Sequence, residues 1–186
     1  IGPNMHQVNT NLIKPMTAAI DGLPGLSYAV WKNLHTGGLP IKLFFSHAGN
    51  EGVYEFIDSA LAAWPDAAGD DFGAYICSLS NPQNLDIAKL CGEGDVTASP
   101  FHRVLASKPP PRMIMIPNGN APIHGRKWCV YEAHLAHELG VDVSISGQVL
   151  HLLTGRLREV LRLKEELAQA KGRAGREAML SAVEQS

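Results

Sequence analysis

Short apolar segments alternate with helical patterns through the central part of the chain, and this alternation is the feature that most limits its fold. Four of the segments are predicted β-strands, at residues 41–45, 74–79, 113–116 and 141–145. Buried parallel strands are typically this short and continuously apolar. The repeated strand–helix order predicts an α/β fold built on a doubly wound parallel sheet. Ligands of such sheets bind beyond the carboxyl ends of the strands, which here are the polar loops 46–52, 80–99 and 117–128.

The segments between the strands have helical periodicity. Helices are predicted at residues 53–64, 101–107 and 128–139, and the first of these has apolar residues at i, i+3 and i+4 spacing. A further helix is predicted at residues 11–21. The segment 80–99 is long and polar, which indicates a functional or mobile connection.

The chain divides into three predicted parts. Residues 41–147 form the α/β domain, residues 1–40 an N-terminal extension, and residues 148–186 a C-terminal helical extension. The opening Ile1-Gly2-Pro3-Asn4 resembles a cloning remnant before Met5 and is set aside. An apolar stripe in the C-terminal extension either packs on the domain or pairs with a second chain.

Composition and charge narrow the class of protein. The 186 residues are 45% hydrophobic and 18% charged, which suits one globular domain. A net charge of −2 argues against a nucleic-acid or membrane partner. Apolar runs stay well below the roughly 20 residues that span a bilayer, and no secretory signal pattern is found. Cys77, Cys91 and Cys129 do not have the spacing of a zinc site, so we expect reduced thiols in a cytoplasmic protein.

The start of the third predicted helix carries the most informative motif, Trp128-Cys129-Val130-Tyr131-Glu132. Helical spacing places Trp128, Cys129 and Glu132 on one side, and a first-turn position of Glu132 favours an ionised carboxylate. A carboxylate beside an aromatic wall can bind sugar hydroxyls and stabilise an oxocarbenium ion. The structural alternative is a buried tryptophan that anchors the helix and a glutamate placed there for the helix dipole.

Two motifs, in this order, resemble those of TIR domains. Phe44-Phe45-Ser46-His47 resembles the first conserved box, in which a strand ends in a Phe-x-Ser-type turn. The motif that ends at Glu132 resembles the Trp-Cys-x-x-Glu segment that opens the third core helix of plant-type TIR domains. The resemblance spans about residues 41–146 and implies a flavodoxin-like, three-layer sandwich.

The resemblance also implies an activity. Enzymatic TIR domains cleave the nicotinamide–ribose bond of NAD+ and release nicotinamide with ADP-ribose or a cyclic isomer, in signalling or defence. Their essential glutamate corresponds to Glu132, which is the predicted catalytic residue. The predicted substrate-binding residues are Ser46, His47, Asn50, Trp128 and Cys129. NAD+ is then the substrate, and no cofactor or metal is expected.

The family also implies a protein partner. Its long second loop, here about residues 81–99, gates access to the cleft and takes part in self-association. A second copy of this chain is therefore an expected partner, through contacts between the domains or through the C-terminal helix.

One departure from the family pattern keeps other functions open. Many active TIR domains carry an arginine or lysine in the first loop, whereas this loop offers His47, Asn50 and Glu51. The departure favours a non-catalytic TIR-like module that signals through self-association. A third hypothesis is another N-glycosidic transferase on the same architecture, similar to nucleoside deoxyribosyltransferases, which also use a glutamate.

Other candidate residues have two interpretations each. His47 either contacts substrate or makes a structural hydrogen bond. Cys129 is either a thiol of lowered pKa at a helix N-terminus or a buried structural residue. His134, His137 and Glu138 lack the spacing and the third ligand of a zinc site, so we expect solvated helix residues.

Overall fold

The computed structural model describes residues 2–18, 25–65, 71–92, 95–118 and 122–146. Within these residues, four strands form one sheet in which every neighbouring pair is parallel. The strands are β1 (Ile41–Ser46), β2 (Gly73–Ile76), β3 (Arg112–Met115) and β4 (Val143–Ile145), in the spatial order β2-β1-β3-β4. The predicted α/β fold with a doubly wound parallel sheet is confirmed.

Alternate residues of the strands face two separate cores. Phe44 and its register partner Met113 lie in one core, and Phe45 and its partner Ile114 lie in the other. Successive side chains of a strand point to opposite faces of the sheet, so both faces of β1 and β3 are buried. Burial on both faces explains why these strands are continuous apolar runs in the sequence.

Helices cover both faces of the sheet. Phe56 of α4 (Val53–Ala62) packs into one core, whereas α7 (Pro100–Leu105) and α8 (Lys127–Glu138) pack into the other through Phe101 and Tyr131. These three helices correspond to the predicted helices at 53–64, 101–107 and 128–139. The shorter helices are α1 (Met5–Val8), α2 (Lys14–Ala18), α3 (Tyr28–Lys32), α5 (Cys77–Ser80) and α6 (Ile87–Leu90), with 3-10 turns at Val96–Ala98 and Ile123–Gly125.

The second strand is shorter than its apolar pattern predicts. β2 ends at Ile76, and the chain then turns into α5. The Ser80 hydroxyl accepts a hydrogen bond from the Ile76 N–H at 3.1 Å and closes this turn. The strand prediction was therefore wrong for residues 77–79, because an apolar run does not distinguish a strand from a buried helical turn.

The N-terminal segment packs against the loop that follows β1. The Met5 N–H donates to the Glu51 carbonyl at 3.2 Å, and the His6 N–H donates to the Gly49 carbonyl at 3.1 Å. The Pro3 carbonyl, within the four residues set aside from the sequence, accepts a hydrogen bond from the N–H of Val53 at 2.9 Å. These contacts place the segment beside the carboxyl end of the sheet.

The helix predicted at 11–21 starts earlier and is irregular. α1 is followed by a π-helical turn, Asn9–Ile13, and then by α2. The turn ends two residues before Pro15, and Pro15 has no N–H to donate to the carbonyl of Asn11. Residues 19–21 and the whole predicted C-terminal extension, 148–186, lie outside the described residues. In the part of the chain that the structure describes, no helix has the length and apolar character needed to cross a membrane.

Candidate active site

The candidate active site lies at the carboxyl end of β1. From β1 the chain passes to β2 on one side and later to β3 on the other side, so the direction of winding reverses between β1 and β3. Such a reversal opens a crevice at the carboxyl ends of the strands, where α/β proteins bind ligands. Ser46 is the last residue of β1, and His47 begins the following loop.

Glu132 of α8 faces this crevice and is bound by Ser46. The Ser46 Oγ donates a hydrogen bond to Oε2 of Glu132 over 2.6 Å, and both side chains are buried. This distance is typical of a hydroxyl that binds an ionised carboxylate. The bond joins the end of β1 to α8, across 86 positions of sequence.

Burial has the largest effect on the pKa of Glu132. Burial raises the pKa of Glu132 to about 7, although the Ser46 hydrogen bond and the charges of His47 and Arg126 act in the opposite direction. The expected first-turn position was wrong, because α8 begins at Lys127 and Glu132 therefore lies in its second turn. The helix dipole acts mainly on the first turn, so desolvation dominates here. Both protonation states of Glu132 are accessible near neutral pH.

His47 is held between a carboxylate and a thiol. Its Nδ1 lies 2.6 Å from Oε1 of Glu51, and its Nε2 lies 3.3 Å from Sγ of Cys77. The Cys129 thiol donates to the His47 carbonyl at 3.3 Å, and Phe56 packs on the imidazole with ring centroids 4.9 Å apart. These contacts fix the imidazole in one orientation.

The same contacts favour the protonated imidazole. Burial lowers the pKa of His47, but the Cys77 and Glu51 contacts outweigh burial and raise this pKa to about 10. Burial also raises the pKa of Glu51, against the opposing effect of His47. At neutral pH, His47 is therefore in its protonated, imidazolium form.

A cavity of about 210 Å³ lies beside Glu132 and His47. Its walls come from α8, the loop after β1, the segment after β2 and the N-terminal segment, and include Met5, Cys77, Asn81, Phe101 and Trp128. Two wall residues, Ser78 and Asn9, each carry a buried oxygen, Oγ and Oδ1, that has no hydrogen-bond partner among the described residues. Buried polar atoms are normally hydrogen-bonded, so a water or a polar ligand in the cavity would complete the hydrogen bonding of these two oxygens.

Arg126 brings an arginine side chain to the cavity, whereas the loop after β1 contains no arginine or lysine. It directly precedes α8 and lines the cavity. It also lines an outer depression of about 460 Å³, together with Asn50. The cavity and the depression share Arg126, His6 and Gly49 in their walls, so the two spaces adjoin at a cationic side chain.

Gly49 leaves room for two of these side chains. A Cβ at position 49 would lie 2.6 Å from Nε2 of His6 and 3.1 Å from Nη1 of Arg126. Any larger residue at this position would therefore displace the side chains that separate the cavity from the outer depression.

The structure places the predicted site residues at different depths. Trp128 and Cys129 line the cavity, while Asn50 is exposed at the outer depression. Trp128 also stacks on Phe101 with ring centroids 5.0 Å apart, so it both anchors α8 and forms a cavity wall. Burial raises the pKa of Cys129, which fits the structural interpretation of this thiol.

The helix residues excluded as zinc ligands differ in exposure. His137 and Glu138 are exposed as expected, but the expectation was wrong for His134, which is 3% exposed on the face of α8 that packs against the protein. Over the described ranges, no three His, Cys, Asp or Glu side chains form a group that could hold a metal ion.

Three residues that were not predicted as site residues also lie in the site: Glu51, Cys77 and Arg126. His47 and Glu51 pair across a turn in which the Glu51 N–H donates to the Ala48 carbonyl at 3.0 Å, and no helical spacing signals a pair in such a loop. Cys77 was predicted to lie inside the strand 74–79, so its position just after β2, next to the carboxyl end of β1, was not anticipated. Nothing local to Arg126 indicates its position in the cavity.

Comparisons with protein-family models, with curated proteins and with solved structures find no significant match to this chain. The fold and the site define the class of protein: an α/β protein with a doubly wound parallel sheet and a buried carboxylate where the winding reverses.

Proposed function

We propose that this protein is a TIR-like N-glycosidase that cleaves the nicotinamide–ribose bond of NAD+, with Glu132 as the catalytic carboxylate. The observation that carries the proposal is the buried hydrogen bond from Ser46 to Glu132, where Glu132 lines the cavity at the reversal of winding and Ser46 lies behind it. Each TIR-like motif contributes one partner of this hydrogen bond. The resemblance and the geometry thus support the same residue.

The chemistry of the reaction suits this carboxylate. When the bond breaks, its electron pair leaves with nicotinamide, and positive charge develops on the ribose ring. Ionised Glu132 stabilises that charge and orients the ribose hydroxyls. Water then attacks C1′ and yields ADP-ribose and one proton. Because the pKa of Glu132 is about 7, roughly half of the molecules carry the ionised form at neutral pH.

The walls of the cavity suit the rest of a dinucleotide. Arg126, between the cavity and the outer depression, is positioned to bind the pyrophosphate. Trp128 offers an aromatic face to the positively charged nicotinamide ring. The free acceptor of Asn9 suits a hydroxyl or carboxamide donor.

Nicotinamide release from NAD+, followed by chromatography at several protein concentrations, tests the proposal. Glu132→Gln keeps the shape of the side chain and its bond with Ser46 but removes the charge, so release should fall about 10²-fold or more. Glu138→Gln makes the same change at an exposed position of α8 and is the matched control.

Each alternative outcome has a definite meaning. Release that persists in Glu132→Gln would place the reaction on other residues. Preferential cleavage of nucleosides would favour the transferase hypothesis. No release at any protein concentration would contradict the proposal and favour a non-catalytic module.

Self-association without catalysis is a second candidate, favoured by exposed apolar residues in the segment after β2. Leu85 and Ile87 are 47% and 40% exposed, and this segment corresponds to the TIR loop that mediates self-association. Leu85→Asp should weaken an assembly that forms through this segment, measured by sedimentation velocity. Leu61→Asp, at an exposed position of α4, is the matched control, and equal effects of the two changes would exclude this surface.

A further inference from the structure

The cluster of Glu51, His47 and Cys77 has a chemical arrangement that NAD+ cleavage does not use. The carboxylate holds Nδ1 of the imidazole at 2.6 Å, and Nε2 faces the Cys77 thiol at 3.3 Å. The His47 and Glu51 side chains are 2% and 0% exposed, whereas Cys77 is half-buried and lines the cavity. A nucleophile within reach of a base, with the base oriented by a third group, is the general arrangement of a catalytic triad.

We propose that Cys77 is a nucleophile that accepts an acyl group from a small ester or thioester bound in the cavity, with His47 as its acid–base partner and Glu51 as a positioning residue.

A second observation, independent of the triad, supports an acyl substrate. Ser78 is 8% exposed and lines the same cavity, and its hydroxyl has no hydrogen-bond partner within the described ranges. A hydroxyl directly after the nucleophile can donate to a carbonyl oxygen as negative charge develops on it. The cavity volume of about 210 Å³ limits the acyl group to a short chain.

The other two thiols lack this arrangement. Cys129 is 2% exposed, and its thiol is engaged with the His47 carbonyl. Burial raises the pKa of Cys91 to about 11. The thiolate is the reactive form of cysteine, so both are poor nucleophiles, and Cys91 can serve as an internal reference.

The reaction balances with water as its co-reactant. The pair reacts as thiolate and imidazolium, with the Cys77 proton held on Nε2 of His47. The sulfur forms a bond to the carbonyl carbon, and the carbonyl electron pair moves to oxygen beside Ser78. Collapse breaks the bond to the leaving alcohol or thiol, which takes the proton from His47. Water then gives one proton to His47 and attacks the carbonyl carbon of the acyl group on Cys77. The carbon–sulfur bond breaks, the carboxylic acid leaves, and the proton stays on the pair of His47 and Cys77.

Two reagents test the nucleophile and the stabilisation of the oxyanion separately. p-Nitrophenyl acetate transfers an acetyl group through a tetrahedral oxyanion, whereas iodoacetamide alkylates a thiol without one. We expect p-nitrophenyl acetate to add one acetyl group to the full chain, detected by intact mass. Peptide mapping should place this group on Cys77, at a rate at least about tenfold above that of Cys91. Neither reagent contains a glycosidic bond, so the result is independent of NAD+ cleavage.

Variants test the partners of Cys77. His47→Gln should slow both reactions about 10²-fold. Ser78→Ala removes a small side chain with little risk to folding and should lower the ratio of acetylation to alkylation rates about 10²-fold. Equal reactivity of Cys77 and Cys91 toward both reagents, or an unchanged ratio in Ser78→Ala, would overturn the proposal.

The positioning role of Glu51 has its own readout. The charged and titratable groups that act around His47 are Glu51, Cys77, Glu132, His6 and Arg126. Glu51→Gln removes the negative charge that favours the imidazolium, so alkylation of Cys77 should reach half its maximal rate at a higher pH. If Cys77 alkylation in Glu51→Gln reached half its maximal rate at the same pH as in the native protein, Glu51 would only contribute packing, and this part of the proposal would be wrong.

Discussion

A single hydroxyl group influences how much of Glu132 is ionised near neutral pH. Ser46 donates to Oε2, and this bond opposes the effect of burial on the carboxyl group. A donor to a carboxylate stabilises its charged form and so lowers its pKa. The charge state of Glu132, the proposed catalytic residue, therefore depends on the last residue of β1.

If Glu132 carries out the proposed NAD+ cleavage, Ser46→Ala should move that activity to higher pH. Without the hydroxyl, the pKa of Glu132 rises further above 7, and less of the ionised form is present at neutral pH. We expect slower nicotinamide release at pH 7 and partial recovery at higher pH, measured as a pH–rate profile. Ser107→Ala, at an exposed serine, should leave the profile unchanged. If the acid side of the pH–rate profile stayed at the same pH in Ser46→Ala, the ionisation of Glu132 would not determine that part of the profile.

Arg126→Met should weaken the binding of NAD+ more than it slows the reaction. Loss of a charge-assisted hydrogen bond of about 1.5–3 kcal/mol raises KM for NAD+ roughly 10- to 100-fold. Nicotinamide riboside has no phosphate, so its KM should change little. Lys127→Met makes the same charge change at an exposed neighbour and is the control. Equal increases in KM for both substrates would argue against pyrophosphate binding by Arg126.

The elements of this fold differ in how directly they follow from the sequence. β1, β3, α4 and α8 have local patterns, either an apolar run or a helical stripe, that reflect burial in the two cores. β2 was predicted too long because its apolar run continues into α5, where a serine hydroxyl ends the strand. The packing of the N-terminal segment follows from contacts with distant residues, and its own sequence has no clear period.

The N-terminal segment is expected to contribute both stability and a cavity wall. Met5 is 5% exposed in the same core as Phe45, and it also lines the cavity. Met5→Ala should cost about 2–5 kcal/mol and lower the melting temperature by roughly 2–4 °C for each kcal/mol. Leu12→Ala, at a half-exposed position of the same segment, should change the melting temperature far less. Similar shifts in the two variants, measured by circular dichroism, would show that the segment is not docked through Met5.

At the scale of the whole molecule, buried ionisable groups make stability depend on pH. The pKa of Glu132 rises from 4.5 to about 7 on folding, so the folded state binds more protons and stability falls as pH rises through this window. The pKa of His47 rises from 6.5 to about 10, and its contribution is complete below 6.5 and lost as pH rises through 10. Both groups predict a less stable protein at alkaline pH.

Glu132→Gln should therefore stabilise the protein above neutral pH. The variant lacks the charge whose burial is unfavourable, so its melting temperature should exceed that of the native protein at about pH 8, and the difference should vanish near pH 4.5. Glu138→Gln, at an exposed position of the same helix, is the control for the substitution itself. A constant difference between Glu132→Gln and the native protein across this range would mean that burial does not shift the Glu132 carboxyl.

The site as a whole could be predicted only in part, because it is assembled from distant segments. The predicted parallel sheet placed the loop after β1 at the carboxyl ends of the strands, and the TIR-like motifs indicated Ser46 and Glu132. The contribution of His6 depends on how the N-terminal segment folds back, and that of Arg126 on the path of the loop before α8. Neither depends on a periodic pattern, so neither was accessible from the sequence.

The close approach of His6 and Arg126 to Gly49 has an evolutionary consequence. A substitution at position 49 that adds even one carbon meets the His6 ring at 2.6 Å. His6 is an exposed side chain that can turn away from a new Cβ, but it then leaves its place beside Arg126. Homologous chains that keep His6 in this place should therefore also keep glycine at position 49, although 43 positions of sequence separate them.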